Sequence, residues 1–153
     1  MKALIQRVKS ASVTIEGELY SSINAGLLVF VGVTKNDIKE NAERLAQKIL
    51  SLRIFEDENE KMNLSILDTK GSILSISQFT LYANCTEGRR PSFVEAMNPT
   101  EASRLYDVFN EKLREFLHVE TGIFGADMKV EIYNDGPVTI CLDSDVLFKK
   151  GVK

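Results

Sequence analysis

Two short segments carry side chains whose types and spacing could do chemistry. Ser77-Gln78-Phe79-Thr80-Leu81-Tyr82 closes the apolar run from Ile73 to Phe79 with hydroxyl and amide groups set among aromatic rings. A strand that emerges into solvent would show the same letters. Alternatively, Gln78 and Thr80 line a pocket while Phe79 supplies a wall or a backbone N–H. Gly136-Pro137 follows Asn134-Asp135 and leads at once into the strand-like Val138-Thr139-Ile140. A plain trans turn is the expectation from these letters, since only about 5% of X-Pro bonds are cis. Phe124, in the loop Gly122-Ile123-Phe124-Gly125-Ala126, either stacks on a base or caps the core. Arg89 and Arg90 are either phosphate forks or a solvated surface pair.

Several familiar arrangements are missing. No serine sits in a GxSxG elbow near the single histidine, His118, which argues against a Ser-His-Asp hydrolase. His118 reads as a polar residue near a helix end, where its charged form suits the helix dipole. There is no Walker loop, no GxGxxG and no HExxH. Cys85 and Cys141 have neither CxxC spacing nor histidines nearby, so no metal is expected. Cys141 reads as a small buried hydrophobe and Cys85 as a loop thiol. Catalysis, if present, would rest on positioning and hydrogen bonding, without a cofactor.

The elements that must position these residues read as follows. Ala3 to Val8, Ser12 to Ile15 and Leu27 to Val33 are strands separated by turn signals; the third is apolar on both faces and so central. Asp37 reads as an N-cap with Glu40 three residues on, followed by Ile38, Ala42, Leu45, Ala46 and Ile49 at helical spacing. Leu52 to Phe55 and Ile73 to Phe79 are strand-like, with turns at 56–61 and 68–71. Asn98-Pro99-Thr100-Glu101 starts a second helix, whose apolar face is Ala102, Leu105, Tyr106, Phe109, Leu113 and Phe116. Met128 to Tyr133 and Val138 to Leu142 are strands joined through Asn134 to Pro137. This order predicts an α+β fold: one domain over residues 1–153, with largely antiparallel, barrel-like β-sheets packed by two main helices. Residues from about 146 to 153 read as a basic tail.

The 153 residues are 44% hydrophobic, the size and apolar content of one core. Against 22 acidic side chains stand 19 basic ones, leaving a net charge of -3. Broad coverage of a nucleic acid is therefore excluded, whereas recognition of one terminus is not. The start of the chain turns polar too soon for a signal peptide, and no run approaches the ~18 apolar residues of a membrane span, so no membrane partner and a cytoplasmic location are expected.

Taken together, Ser77-Gln78-Phe79-Thr80-Leu81 and Asn134-Asp135-Gly136-Pro137-Val138-Thr139 resemble the two signature segments of the D-aminoacyl-tRNA deacylases. The resemblance extends through Gln6-Arg7-Val8, Leu52-Arg53-Ile54-Phe55, Lys61-Met62-Asn63, Arg89-Arg90-Pro91-Ser92-Phe93 and Thr121 to Met128, in the family's order. Glu87 departs from it, standing where many relatives have a basic residue.

The resemblance implies hydrolysis of the ester of D-aminoacyl-tRNA, and also of glycine mischarged on tRNA-Ala. It implies a homodimer with sites at the interface, in which a cis Gly136-Pro137 enters the partner's pocket beside Ser77 to Thr80 and rejects L-residues sterically. Arg7 would orient that loop, Phe124 and Gly125 would receive the terminal adenosine, and Arg89 and Arg90 are candidates for tRNA contact. Because the ester is already activated, backbone N–H groups near Phe79 and Thr80 can stabilise the oxyanion, with the Thr80 hydroxyl orienting water or substrate and the tRNA 2′-hydroxyl contributing. The partner is the 3′ end of aminoacyl-tRNA, and no DNA is expected. Two alternatives stand beside this reading: a same-fold deacylase with trans Gly-Pro acting on small L-residues, and a non-enzymatic dimer that binds nucleic acid.

Overall fold

The first strand, β1 (Lys2–Ile15), runs without a break through both segments read as separate strands. The break in the sequence pattern is real. Alternation holds through Ala3 and Ile5, then fails where Arg7 and Val8 are buried in succession. At that point the pairing register with the last strand shifts, and a shifted register changes which side chains face the core.

A computed structural model describes residues 1–149. After β1 come β2 (Glu18–Ile23), β3 (Gly26–Gly32), α1 (Lys39–Ser51), β4 (Phe55–Glu56), β5 (Met62–Leu64) and α2 (Ile66–Thr69). Then follow β6 (Ser72–Ser77), a 3-10 turn (Phe79–Tyr82), α3 (Pro99–Arg114), β7 (Val119–Thr121), β8 (Lys129–Asp143) and α4 (Ser144–Leu147). The main sheet has the order β2-β1-β3-β6-β7, with β8 also paired to β1.

The domain is α+β, its sheet nearly closed and packed by the two long helices α1 and α3. Its strands are more mixed than expected. β1 pairs antiparallel with β2, β3 and β8, but β3–β6 and β6–β7 are parallel. The reason is that α1 and α3 each occupy a crossover, and crossover helices return the chain in the same direction. β3 is central, as its apolar run requires, and Leu27, Leu28 and Val29 are fully buried. Gly26 is needed for the β3–β6 approach, because a Cβ there would collide with the Ser72 carbonyl oxygen.

Leu27, Val29 and Ile73 face the helices with Leu45, Ile49, Leu105 and Phe109. Their sequence neighbours Leu28 and Leu74 point to the opposite face, with Val13, Ile23 and Ile76. α3 begins as read: the Asn98 side chain accepts from the Glu101 N–H at 3.1 Å, and Pro99 occupies the first turn. Phe116, however, lies past the helix end and is exposed.

Asp37 does not cap α1. Ile38 holds the N-cap position and is exposed, with its N–H donating to the Asn41 side chain. The Asp37 carboxylate instead accepts from the Met1 ammonium (2.7 Å) and the Thr34 N–H (2.7 Å), a buried pair that outweighs an exposed cap. The strand read at Leu52 to Phe55 is shorter and later, the two-residue β4. Residues 66–69, partly read as a turn, form α2 through reciprocal Ser65–Asp68 bonds. The expected tail from 146 is also displaced: Val146 and Leu147 end α4, capped by the Asp143 side chain. Lys150 to Lys153 of that tail lie outside the described residues. No described helix is long and apolar enough to cross a membrane.

Candidate active site

The β6–β7 ladder ends at Ser75 opposite Thr121, whereas β6 stays paired to β3 as far as Ser77, and the Gln78 N–H donates to the Val31 carbonyl at 2.7 Å. Beyond Ser75, therefore, one edge of β6 is held and the other has no strand beside it. There the chain leaves β7 through Gly122, and a cleft of about 660 Å³ opens between the β6 end and the 124–128 loop.

Ser77, Gln78 and Phe79 line one wall; Phe124 and Gly125 line the other; Ala102 and Tyr106 of α3 lie between them. The two segments singled out on opposite sides of α3 in the sequence thus meet across one cavity. Phe124 is half-buried, its ring 6.1 Å from that of Tyr106, so packing and an open face coexist in one side chain.

The 3-10 turn sets what the β6 end presents. The Leu81 N–H returns to the Gln78 carbonyl and the Ala83 N–H to that of Thr80. The N–H groups of Phe79 and Thr80, the first in the turn, have no acceptor among the described residues. The Gln78 side-chain amide donates to the Thr80 hydroxyl at 2.5 Å, which leaves that oxygen's own proton free to be given elsewhere. Phe79 is exposed and packs edge-on against Phe93 at 5.0 Å. Thr80 is exposed, one residue past the lining. Behind the turn, burial and then the Asp37, Asp143 and Asp145 carboxylates push the Tyr82 phenol well above its ordinary range, which removes it as an acid or base.

Arg7, Gly136 and Pro137 are not in this cleft. Asn134 to Pro137 is also not a turn joining two strands. β8 is continuous, and Asp135 to Val138 form a wide bulge between the pairs Val8–Asn134 and Gln6–Thr139. The Gly136-Pro137 bond is cis, correcting the trans turn expected from composition.

Two side chains hold the bulge. Buried Arg7 donates to the Asp135 carbonyl (2.9 Å) and the Ile54 carbonyl (2.8 Å), with the Asp135 and Glu56 carboxylates nearby. Asn134, whose part in the motif carried no assigned role, accepts from the Val138 N–H (2.9 Å) and donates to its carbonyl (3.1 Å). Gly136 and Pro137 are left exposed at the tip.

Arg89 and Arg90 are exposed in a loop closed by the Asn84–Ser92 bridge; they do not line the cleft and have no ion pair among the described residues. His118 lies beyond α3 and contacts Glu120 at 2.9 Å, away from the cleft. Cys141 is exposed, contrary to its reading as a buried hydrophobe, because it lies on the uncovered face of β8; Cys85 is exposed as well. Among the described residues no group of three or more His, Cys, Asp and Glu could hold a metal.

The family model described as D-Tyr-tRNA(Tyr) deacylase matches residues 4–143. A Bacillus cytotoxicus protein named D-aminoacyl-tRNA deacylase is 57% identical over 94% of this chain and 99% of its own length. One of that name from Bacillus cereus strain AH187 is 54% identical over the same shares. Among solved structures, that of a protein named c-Myc DNA Unwinding Element Binding Protein is 44% identical, with a TM-score of 0.89 over 94% of this chain and 98% of that one. Another, of a probable eukaryotic D-amino acid tRNA deacylase, shares the fold at 16% identity, with a TM-score of 0.80 over 92% and 97%. With a family match over nearly all its length and with relatives above half identity, this chain belongs to the D-Tyr-tRNA(Tyr) deacylase family of ester hydrolases.

Proposed function

We propose that this chain hydrolyses the ester of D-aminoacyl-tRNA at the end of β6, and that selectivity is supplied by the Gly136-Pro137 bulge of a second copy. The observation that carries the reading is the pair of unpartnered N–H groups at Phe79 and Thr80, beside a Thr80 hydroxyl oriented by Gln78. Water attacks the ester carbonyl, and the two N–H groups receive the developing oxyanion. The bond to the ribose oxygen then breaks, and that oxygen takes up the proton lost by water. Thr80 orients water or substrate, since among the described residues its hydroxyl is bonded to the Gln78 amide and not to a base that could make it a nucleophile. The 2′-hydroxyl of the tRNA is a second source of orientation.

Phe124 and Gly125 receive the terminal adenosine across the cleft, and Arg89 and Arg90 contact phosphates beyond it. A local contact of this kind suits a chain with a net charge of -3. The bulge tip is exposed and is not part of its own chain's cleft, which supports action in trans within a homodimer. Its carbonyls and ring would occupy the space of an L side chain, while a D side chain points away and glycine offers none. The reaction is chiral proofreading in the cytoplasm, where aminoacyl-tRNA is made.

Release of amino acid from D- and L-tyrosyl-tRNA, and from glycyl-tRNA-Ala, tests this reading. D-tyrosine and glycine should be released and L-tyrosine retained. Faster L release would instead support a pocket for L-residues. The 44% identical relative, named for binding a DNA unwinding element, favours one further reading, DNA binding by the same fold. Duplex or single-stranded DNA competing with tRNA at equal concentration would support it.

A further inference from the structure

Behind the cleft, the packing of α3 on β6 contains three polar side chains where apolar ones would fill the space: Tyr106, Asn110 and Ser75, all buried. The Tyr106 hydroxyl donates to the Ser75 carbonyl at 2.7 Å. Burial pushes the Tyr106 phenol above its ordinary range. Ser75 Oγ and Asn110 Oδ1 have no hydrogen-bond partner among the described residues. Buried polar atoms without partners are unfavourable, and an apolar replacement of all three would pack at no such cost. Stability therefore does not account for them.

Their location suggests what does. Ser75 is the last residue of β6 paired with β7, and Ser77, Gln78 and the 3-10 turn follow immediately. The Tyr106 ring lines the cleft and packs on Phe124 with an interplanar angle of 48°. One side chain thus touches both walls, through its hydroxyl on the β6 side and through its ring on the Phe124 side.

We propose that Tyr106 is a positioning residue of the deacylase reaction: its hydroxyl, bonded to the Ser75 carbonyl, holds the end of β6 that carries Ser77 to Thr80, and its ring sets Phe124. The inference rests on the deacylase reading. Where alignment of reacting groups sets the rate, small displacements of the strand end are costly, up to about 100-fold for ~1 Å.

Tyr106→Phe keeps the ring and removes the hydroxyl. Its kcat on D-tyrosyl-tRNA should fall about 10-fold with KM unchanged, the pattern of a lost transition-state interaction. Tyr106→Leu should in addition raise KM, because Phe124 loses its neighbour. Amide hydrogen exchange provides a readout independent of activity: in Tyr106→Phe, residues 76–80 should exchange faster while α1 is unaffected. A merely structural role would lower the thermal midpoint without splitting kcat from KM. Unchanged kcat, or unchanged exchange at 76–80, overturns the proposal. A wild-type chain that releases no D-tyrosine overturns the deacylase reading instead, and exchange at 76–80 still decides whether Tyr106 holds the strand end.

Discussion

Thr80 and Gly136 make opposite demands on substitution. Thr80 is exposed, and its one side-chain hydrogen bond among the described residues is with Gln78, so Thr80→Ala removes the hydroxyl at little structural cost. Its kcat on D-tyrosyl-tRNA should fall by about 10-fold or more, on the scale of an orienting group rather than of a nucleophile. Unchanged turnover would take Thr80 out of the mechanism. At Gly136, φ is +143°, and a Cβ would stand 2.7 Å from Val138 Cγ2 and 2.8 Å from the Val138 nitrogen. Gly136→Ala should therefore lower the unfolding free energy by about 1–2 kcal/mol in urea titration. It should also reduce release of D-tyrosine by crowding the partner's pocket; full activity would show that the bulge does not reach a site.

At the scale of elements, the bulge depends on β1 as much as on its own residues. The Arg7 guanidinium is the donor to two backbone carbonyls, on β8 and just ahead of β4. Arg7→Met fills much of the volume but leaves both carbonyls without that donor. Its unfolding free energy should fall by about 2–3 kcal/mol, with activity falling too. Equal denaturation midpoints would mean that Asn134 alone fixes the bulge. The same elements show why part of the site was legible and part was not. Asn98-Pro99 marked the start of α3, and the apolar Leu27 to Val33 marked the central strand, because caps and burial are written in local letters. Tyr106 was legible only as one residue of an apolar face. Its hydroxyl finds Ser75 across the packing of α3 on β6, and no spacing along the chain encodes that.

For the whole molecule, the decisive question is whether a bulge and a cleft that do not meet within one chain meet between two. Among the described residues β8 pairs only with β1, which leaves its outer edge unpaired, with Ile132 and Tyr133 exposed along it. Light scattering should give a mass twice 17.1 kDa. Mixing the two impaired variants provides a sharper test. In a dimer of one Gly136→Ala and one Thr80→Ala subunit, one of the two sites pairs an intact Thr80 with an intact Gly136. Refolding the variants together should thus restore up to about half of the wild-type activity per mixed dimer. Sites built within single chains would leave the mixture no more active than the separate variants.

By itself the sequence determined the α+β class, the central strand, the start of α3 and the blocks that resemble the deacylase family, all of which depend on residue type at short range. It also excluded broad nucleic-acid coverage through its net charge of -3. The tertiary structure decided the rest. It placed Ser77 to Phe79 opposite Phe124, because the β6–β7 ladder stops at Ser75. At Gly136-Pro137, a trans turn by its letters and cis by the family resemblance, it shows a cis bond, set in a bulge because β1 continues past Arg7 and holds β8 on both sides of it. Letters specify what a residue prefers, whereas the partners across a sheet or under a helix specify which preference is realised.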